Sequence, residues 1–386
     1  MLERIRERVR QHFLARLFCR EVLQLVQNII SYILSIRYIY KSGDILYIGI
    51  IDTAGFGDNL MELPLLQGIK KATGSNCYII YVTRFPRFFQ RFSIVDEAVS
   101  GKNRFISTCL IMAKCDLILE AGHVSHIMSV RKLQRNKVQK LSPLLLAYCD
   151  DNIAMQKNRF YDSPHNFRID QYGKILGRHR IEFYDMHGIL GISKNDVIEM
   201  PSFGDDQLVL KKYVLTPRSY IVVNRDVGSG GKEHNKLWGI EKYVGVIKGI
   251  QELYPYMKVV LLGVENSKEI RQCVDYDLTK QTSLEETAVL LKNSRFLLSS
   301  EGGLVHLQHF LLGKSIVLFG PTDLSYLGYD ENDNLCSNVC GGCCWLIENW
   351  DDTCIRKSPI CMETLEIDDV LRCVKKYCVE NGEVNG

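Results

Sequence analysis

From residue 45 onward, short unbroken apolar runs alternate with stretches whose apolar positions recur every three or four residues. DILYIGIID is a run of the first kind, as expected of a strand buried on both faces of a parallel sheet. TAGFGDN follows it, and LMELPLLQGIKKATG then has the spacing of a helix. NCYIIYVT and CDLILEA read as further strands. Residues 150–215 are rich in polar and aromatic side chains and show no clear period.

A second series starts at 219. SYIVVN is a strand, VGSGGKEHNK a glycine-rich loop, and a helix runs from about Trp238 to Leu253. MKVVLLG, RFLLSSEGG and KSIVLFGPT read as strands, separated by the helical stretches SLEETAVLLKNS and LVHLQHFLLG. Strand–helix–strand alternation indicates doubly wound α/β units. Two such series in a chain of 386 residues predict two Rossmann-like lobes facing a cleft.

The first forty residues follow another pattern. Arg4, Arg6, Arg8, Arg10, Arg16 and Arg20 are mixed with Leu, Ile, Val and Phe at roughly helical spacing. One reading is a solvated helix packed on the body; the other is a basic amphipathic helix resting on an anionic membrane surface. The stretch 22–40 is interrupted by Gln24, Gln27, Asn28 and Arg37, which makes it a poor lipid span. MLERIRERVR has charge where a secretory signal needs an apolar core. Fourteen cysteines then read as thiols or metal ligands in a reducing cytoplasm, not as a disulfide framework. A net charge of +3, from 48 basic against 45 acidic side chains, does not point to a nucleic-acid partner.

Four stretches carry candidate chemistry. AGFGDN sits at a strand-to-helix turn, where α/β sheets place their sites. There Gly55 and Gly57 permit close backbone approach, and Asp58 reads either as a functional carboxylate or as a helix cap. After Asn224, Gly228, Gly230 and Gly231 precede Lys232, His234 and Lys236, a flexible cationic loop at a helix start that suits a diphosphate or is an ordinary surface loop. SSEGGLVHLQHFLLGKSIVLFGPTD gathers Glu301, Gly302, Gly303 and His306 around one crevice, with His306 in a structural or ligand-positioning role. Finally Cys336, Cys340, Cys343, Cys344, Cys354 and Cys361 cluster, and Cys340-x2-Cys343 with Cys354 and Cys361 has the make-up of a four-thiolate zinc or iron site.

In order and content these motifs resemble glycosyltransferase family 9, the ADP-heptose:lipopolysaccharide heptosyltransferases and their relatives, over roughly residues 44–375. GFGDNLMELPLLQGIKKA is similar to the family's N-terminal motif, and KLWGIEKYVGVI to its Lys-x-Trp-Pro helix, with Gly239 in the proline slot. The resemblance implies a GT-B fold, with two Rossmann-like domains facing a central cleft. It divides the chain into an N-terminal helical extension (1–43), an acceptor-binding domain (44–215), a nucleotide-sugar-binding domain (216–335) and a Cys-rich segment with a C-terminal helix (336–386).

The resemblance further implies an inverting hexosyl- or heptosyltransferase that uses a nucleotide sugar such as ADP-heptose. Asp58 falls on the general base for the acceptor hydroxyl, with Gly55, Gly57 and Asn59 in the loop beside it. Lys236 falls on the lysine that contacts the donor diphosphate, Glu265 on the ribose contact, and Glu301 on an aspartate near the donor sugar. Asn224, Gly302, Gly303, Leu304 and His306 complete the donor side. Glu301 is one methylene longer than the family's aspartate, and Gly302 replaces a Ser or Thr. The cysteine tail resembles that of the autotransporter heptosyltransferases, which hold iron and modify protein serines. The acceptor is therefore a lipopolysaccharide or other glycan, lipid-linked or not, or alternatively a protein serine. No cofactor is required for the chemistry, and a metal on Cys340, Cys343, Cys354 and Cys361 would be structural. The expected location is cytoplasmic, with residues 1–40 as the contact to the inner face of a bacterial inner membrane. A non-catalytic sugar-nucleotide scaffold is the reading from another class.

Overall fold

The computed structural model describes residues 43–379, apart from 53, 103, 123–125, 131, 157–172, 228–234, 265, 345 and 347–349. The helices expected within 1–40, most of the glycine-rich loop after Asn224, and Glu265 lie outside the described residues.

The apolar runs form two separate sheets. The first contains β1 (Leu46–Ile51), β2 (Cys77–Thr83), β3 (Glu97–Ser100), β4 (Leu117–Glu120) and β5 (His126–Val130), in the order β3-β2-β1-β4-β5. Its pairings are parallel except β4–β5, which is antiparallel and slips register between Ile118 and Leu119. The second contains β6 (Tyr220–Asn224), β7 (Lys258–Leu261), β8 (Tyr276–Asp277), β9 (Leu297–Ser300), β10 (Ser315–Phe319) and β11 (Asp333–Cys336). All its pairings are parallel, in the order β11-β10-β9-β6-β7-β8.

In both sheets the chain winds out from a central strand, then returns to wind the other way. The first sheet reverses between β1 and β4, the second between β6 and β9. Ligands of open α/β sheets bind beyond the carboxyl ends of the strands at such reversals. Asp52 follows β1, and Gly122 lies just past β4; Asn224 ends β6, and Glu301 follows β9.

Local chemistry sets the helix boundaries. LMELPLLQGIKKATG forms two helices, Phe56–Met61 and Leu63–Thr73, with Glu62 between them. Pro64 lacks an N–H for a continuing helix but suits the first turn of a new one, and Gly74 ends that helix at φ 60°. Leu284–Asn293 opens on a reciprocal cap, in which Glu286 N–H donates to Ser283 Oγ at 3.1 Å and Ser283 N–H donates to Glu286 Oε2 at 3.0 Å.

One continuous core runs from the first sheet through the junction into one face of the second, including Leu46, Tyr81, Tyr184, Val222 and Leu297. The other face of the second sheet packs on Ile240–Leu253 and on the C-terminal helix Ile367–Val379, around the fully buried Trp238. Among the described residues, no helix is long and apolar enough to cross a membrane.

Candidate active site

The two lobes meet where their glycine turns touch. A Cβ on Gly57 would lie 2.9 Å from Gly303 Cα and 2.9 Å from His306 Cδ2, while a Cβ on Gly303 would lie 3.2 Å from Gly57 N. Both contacts are with the opposite lobe, so these positions require glycine to let helix Phe56–Met61 reach helix Gly303–Phe310. Beside this contact opens a cleft of about 740 Å³, a size that suits a small-molecule ligand.

On the first lobe, Gly55, Gly57 and Asp58 line the cleft. Asp58 both caps and faces the site: Gly55 N–H donates to its Oδ2 at 2.8 Å, and Arg180 Nη1 donates to its Oδ1. Arg180 is buried, and its Nη2 donates to Gly122 O at 3.1 Å. Burial works against a guanidinium charge, but the Asp58 carboxylate outweighs it and raises the pKa of Arg180 well above its ordinary value. The pair is thus a charged clamp spanning the reversal point of the first sheet.

Asn59 does not line the cleft. It is fully buried behind it, where its Nδ2 donates to Asp52 Oδ2 at 2.9 Å and its Oδ1 accepts from Thr83 Oγ1. Glu62, also fully buried, accepts from Tyr81 OH at 2.6 Å. Burial pushes up the pKa of both Asp52 and Glu62, and each feels the other. Glu62 Oε1 has no hydrogen-bond donor among the described residues.

On the second lobe, Asn224, Lys236, Glu301 and His306 line the cleft, together with Gly302, Gly303 and Leu304. Lys236 Nζ donates to Glu301 Oε2 at 2.5 Å, and His306 Nε2 lies 3.5 Å from Oε1. Burial alone would raise the Glu301 carboxyl; Lys236 first, then His306, outweigh it and hold it far below the usual carboxylate range. His306 is itself buried, with Nδ1 2.8 Å from Tyr329 OH. His309, on the same helix, stacks on Tyr329 with ring centroids 3.7 Å apart and places Nε2 3.1 Å from Lys194 O of the connecting segment. His179, also from that segment, packs at 4.9 Å from Tyr329. Burial, then His306, Lys194 and His309, hold its pKa well below the ordinary histidine value.

The structure therefore places Asp58 and Lys236 in one cleft on opposite lobes, each paired with a buried opposite charge. Arg180 and Trp350, which also line it, were not singled out from sequence. Arg180 falls in GRHRIEFYD, a stretch with no periodic signal, and Trp350 falls among the cysteines.

Cys340, Cys343, Cys354 and Cys361 line one small pocket behind the second lobe. Burial, then Cys340, Cys343 and Cys354, push the Cys361 thiol up to about 12, and burial, Cys340 and Cys354 raise Cys343. Cys354 Sγ donates to Ser358 O at 2.9 Å. Among the described residues, no group of three or more Cys, His, Asp or Glu is drawn together as tightly as a metal centre. Cys336 is exposed on β11, and Cys344 is buried against the cleft.

Comparison with known proteins bears on family and fold. Residues 200–351 match the model of glycosyltransferase family 9 (heptosyltransferase). The chain is 24% identical over 366 residues to lipopolysaccharide heptosyltransferase 1 of Campylobacter coli, an alignment covering 85% of this chain and 98% of that protein. Its fold is similar to that of E. coli ADP-heptose lps heptosyltransferase II, with a TM-score of 0.55 at 14% identity, covering 86% of this chain and 98% of the other. It is also similar to the iron-containing dodecameric glycosyltransferase TibC from enterotoxigenic E. coli, with a TM-score of 0.55 at 13% identity, covering 88% and 80%.

Proposed function

This chain belongs to glycosyltransferase family 9 and has its GT-B fold, and on that premise we propose that it is an inverting heptosyltransferase that uses ADP-heptose and glycosylates a hydroxyl of a lipopolysaccharide core. The observation that carries the reading is the opposed pair of charge clamps, Asp58–Arg180 and Lys236–Glu301, across one cleft.

The chemistry is a single displacement. The acceptor oxygen attacks the anomeric carbon from the first-lobe side, the bond from that carbon to the diphosphate oxygen breaks, and the nucleoside diphosphate departs with the electron pair. A neutral hydroxyl is a weak nucleophile and must lose its proton as the new bond forms, which calls for a positioned base contributing about 10²–10⁴-fold. Asp58 is that base. Arg180 and Gly55 N–H hold its two oxygens in a fixed plane, so the remaining lone pairs aim into the cleft. Lys236, reached by the departing diphosphate on the other wall, offsets its growing negative charge without a divalent metal. Glu301 would then face the sugar, and its long side chain already bonds Lys236, so donor binding must share the ammonium between carboxylate and phosphate.

The four cysteines are proposed to hold a structural iron or zinc. Four thiols on one pocket fit a metal that would deprotonate them and draw them together. Such a metal stabilises the segment that carries them and takes no part in bond breaking.

Thermal shift against a panel of nucleotide sugars tests the donor assignment. A ligand at 100 times its Kd stabilises by about 2.7 kcal/mol, so ADP-heptose should raise the melting temperature clearly above matched UDP- and GDP-sugars. A response to another nucleotide alone would replace the donor; no response to any would favour a scaffold that kept the fold.

A further inference from the structure

The cysteine-bearing segment does more than pack behind the second lobe. Trp350 lines the cleft and also lines the thiol pocket, so one indole forms part of the wall between them. Its neighbourhood is stitched to the donor side through Asn235, whose Nδ2 donates to Trp350 O at 2.7 Å and whose N–H donates to Asp351 O at 2.8 Å. The next residue is Lys236, and its ammonium lies 5.6 Å from the centre of the indole ring. From the other flank, Cys344 N–H donates to Pro321 O at 2.8 Å, in the turn after β10 whose Thr322 also lines the cleft.

Two of the partners that hold Lys236 differ in kind. Glu301 attracts it at 2.5 Å from the buried side, and the Trp350 face attracts it from the segment side. A cation over an indole is attracted to the negative face of the ring, more strongly as water is excluded, and this ammonium belongs to a side chain only 16% exposed. The indole gives the ammonium a neutral partner beside Glu301, on the flank where a diphosphate would compete with that carboxylate for it.

We propose that Trp350 is a positioning residue for Lys236, and that the four thiols set Trp350 from behind, so that filling the thiol pocket tightens the cleft for nucleoside diphosphates. This rests on the donor and metal readings above. It adds to them a coupling between two sites, with Trp350 as the side chain that lines both. Allosteric coupling in this sense is a change in ligand affinity at one site on filling the other, and it must be reciprocal.

The test is calorimetric binding of ADP and AMP to the full chain, with metal content measured on the same samples, for the wild type and for Trp350→Leu, Trp350→Phe and Lys236→Met. Lys236 acts on the diphosphate, so the preference for ADP over AMP is the quantity that positioning moves and general damage does not. The expected result is that Trp350→Leu lowers this preference about fivefold or more, that Trp350→Phe, which keeps a ring face, restores most of it, and that metal content is unchanged in both. Stripping the metal with a chelator should lower the preference in the wild type and lower it no further in Trp350→Leu.

A wild-type preference in Trp350→Leu, alongside a lowered one in Lys236→Met, would overturn the role of Trp350 while leaving the donor reading intact. An unchanged preference in Lys236→Met would overturn both, because Trp350 acts only through that lysine. A chain that carries no metal and takes up neither added iron nor zinc would overturn the coupling to the thiols, with the indole–lysine contact still decided by the variants.

Discussion

At the scale of single residues, two charge pairs in the cleft each set a buried member, Arg180 or Glu301, against a more exposed one, Asp58 or Lys236. Asp58 is oriented by Arg180 and Gly55, Glu301 by Lys236 and His306. Asp52 and Glu62 behave differently. They sit behind Asp58 without a cation of their own close enough to offset burial, and their pKa values are raised. A carboxyl whose folded pKa is raised contributes stability that is complete below its unfolded value, near 4.5 for Glu62. That stability is lost as pH rises through the folded value. Glu62→Gln keeps a neutral acceptor for Tyr81 and has no charge to bury. Its unfolding free energy should match the wild type near pH 4–5 and exceed it increasingly towards pH 8, by about 1.4 kcal/mol for each pKa unit by which Glu62 is raised. Denaturant melts at a series of pH values read this directly; two parallel curves would mean that Glu62 is not protonated in the fold.

At the scale of elements, the strands were legible because a parallel sheet buried on both faces needs continuous apolar runs, and β1, β2, β6, β9 and β10 are such runs. Helix Leu284–Asn293 was legible from its period and its Ser283 start. The expected single helix after β1 is two, because Pro64 breaks it at Glu62. Arg180 could not be read in advance. It reaches the cleft from a short 3₁₀ turn, Arg180–Asp185, and tertiary placement rather than local pattern brings it there. The glycine turns were read as permitting close backbone approach at a ligand crevice. Gly57 and Gly303 do line the cleft, but their missing side chains are needed first for contact between the lobes. Gly57→Ala should therefore act as a wedge. The Cβ would meet backbone, which cannot swing aside, and misplacement on the ångström scale can cost up to about 10²-fold in rate. The expected outcome is a 10- to 100-fold fall in kcat with ADP affinity within about twofold of wild type; equal losses in both would point to damage within the second lobe.

At the scale of the whole molecule, two sheets present their reversal points to each other, and the connecting segment returns to lock them through His179, Lys194 and the Tyr329 stack. This arrangement divides labour: the first lobe supplies a carboxylate, the second a cation, and the cysteine segment a wall beside that cation. In the proposed reaction Asp58 removes the acceptor proton and takes no large part in holding the donor. The most direct measurement is single-turnover sugar transfer by Asp58→Asn, with ADP-heptose affinity determined on the same protein. The substitution keeps size and a hydrogen-bond acceptor and removes the base. Transfer should be slowed at least about 10²-fold with donor affinity within a few-fold of wild type. Transfer within tenfold of wild type, or a loss explained entirely by weaker donor binding, would contradict it.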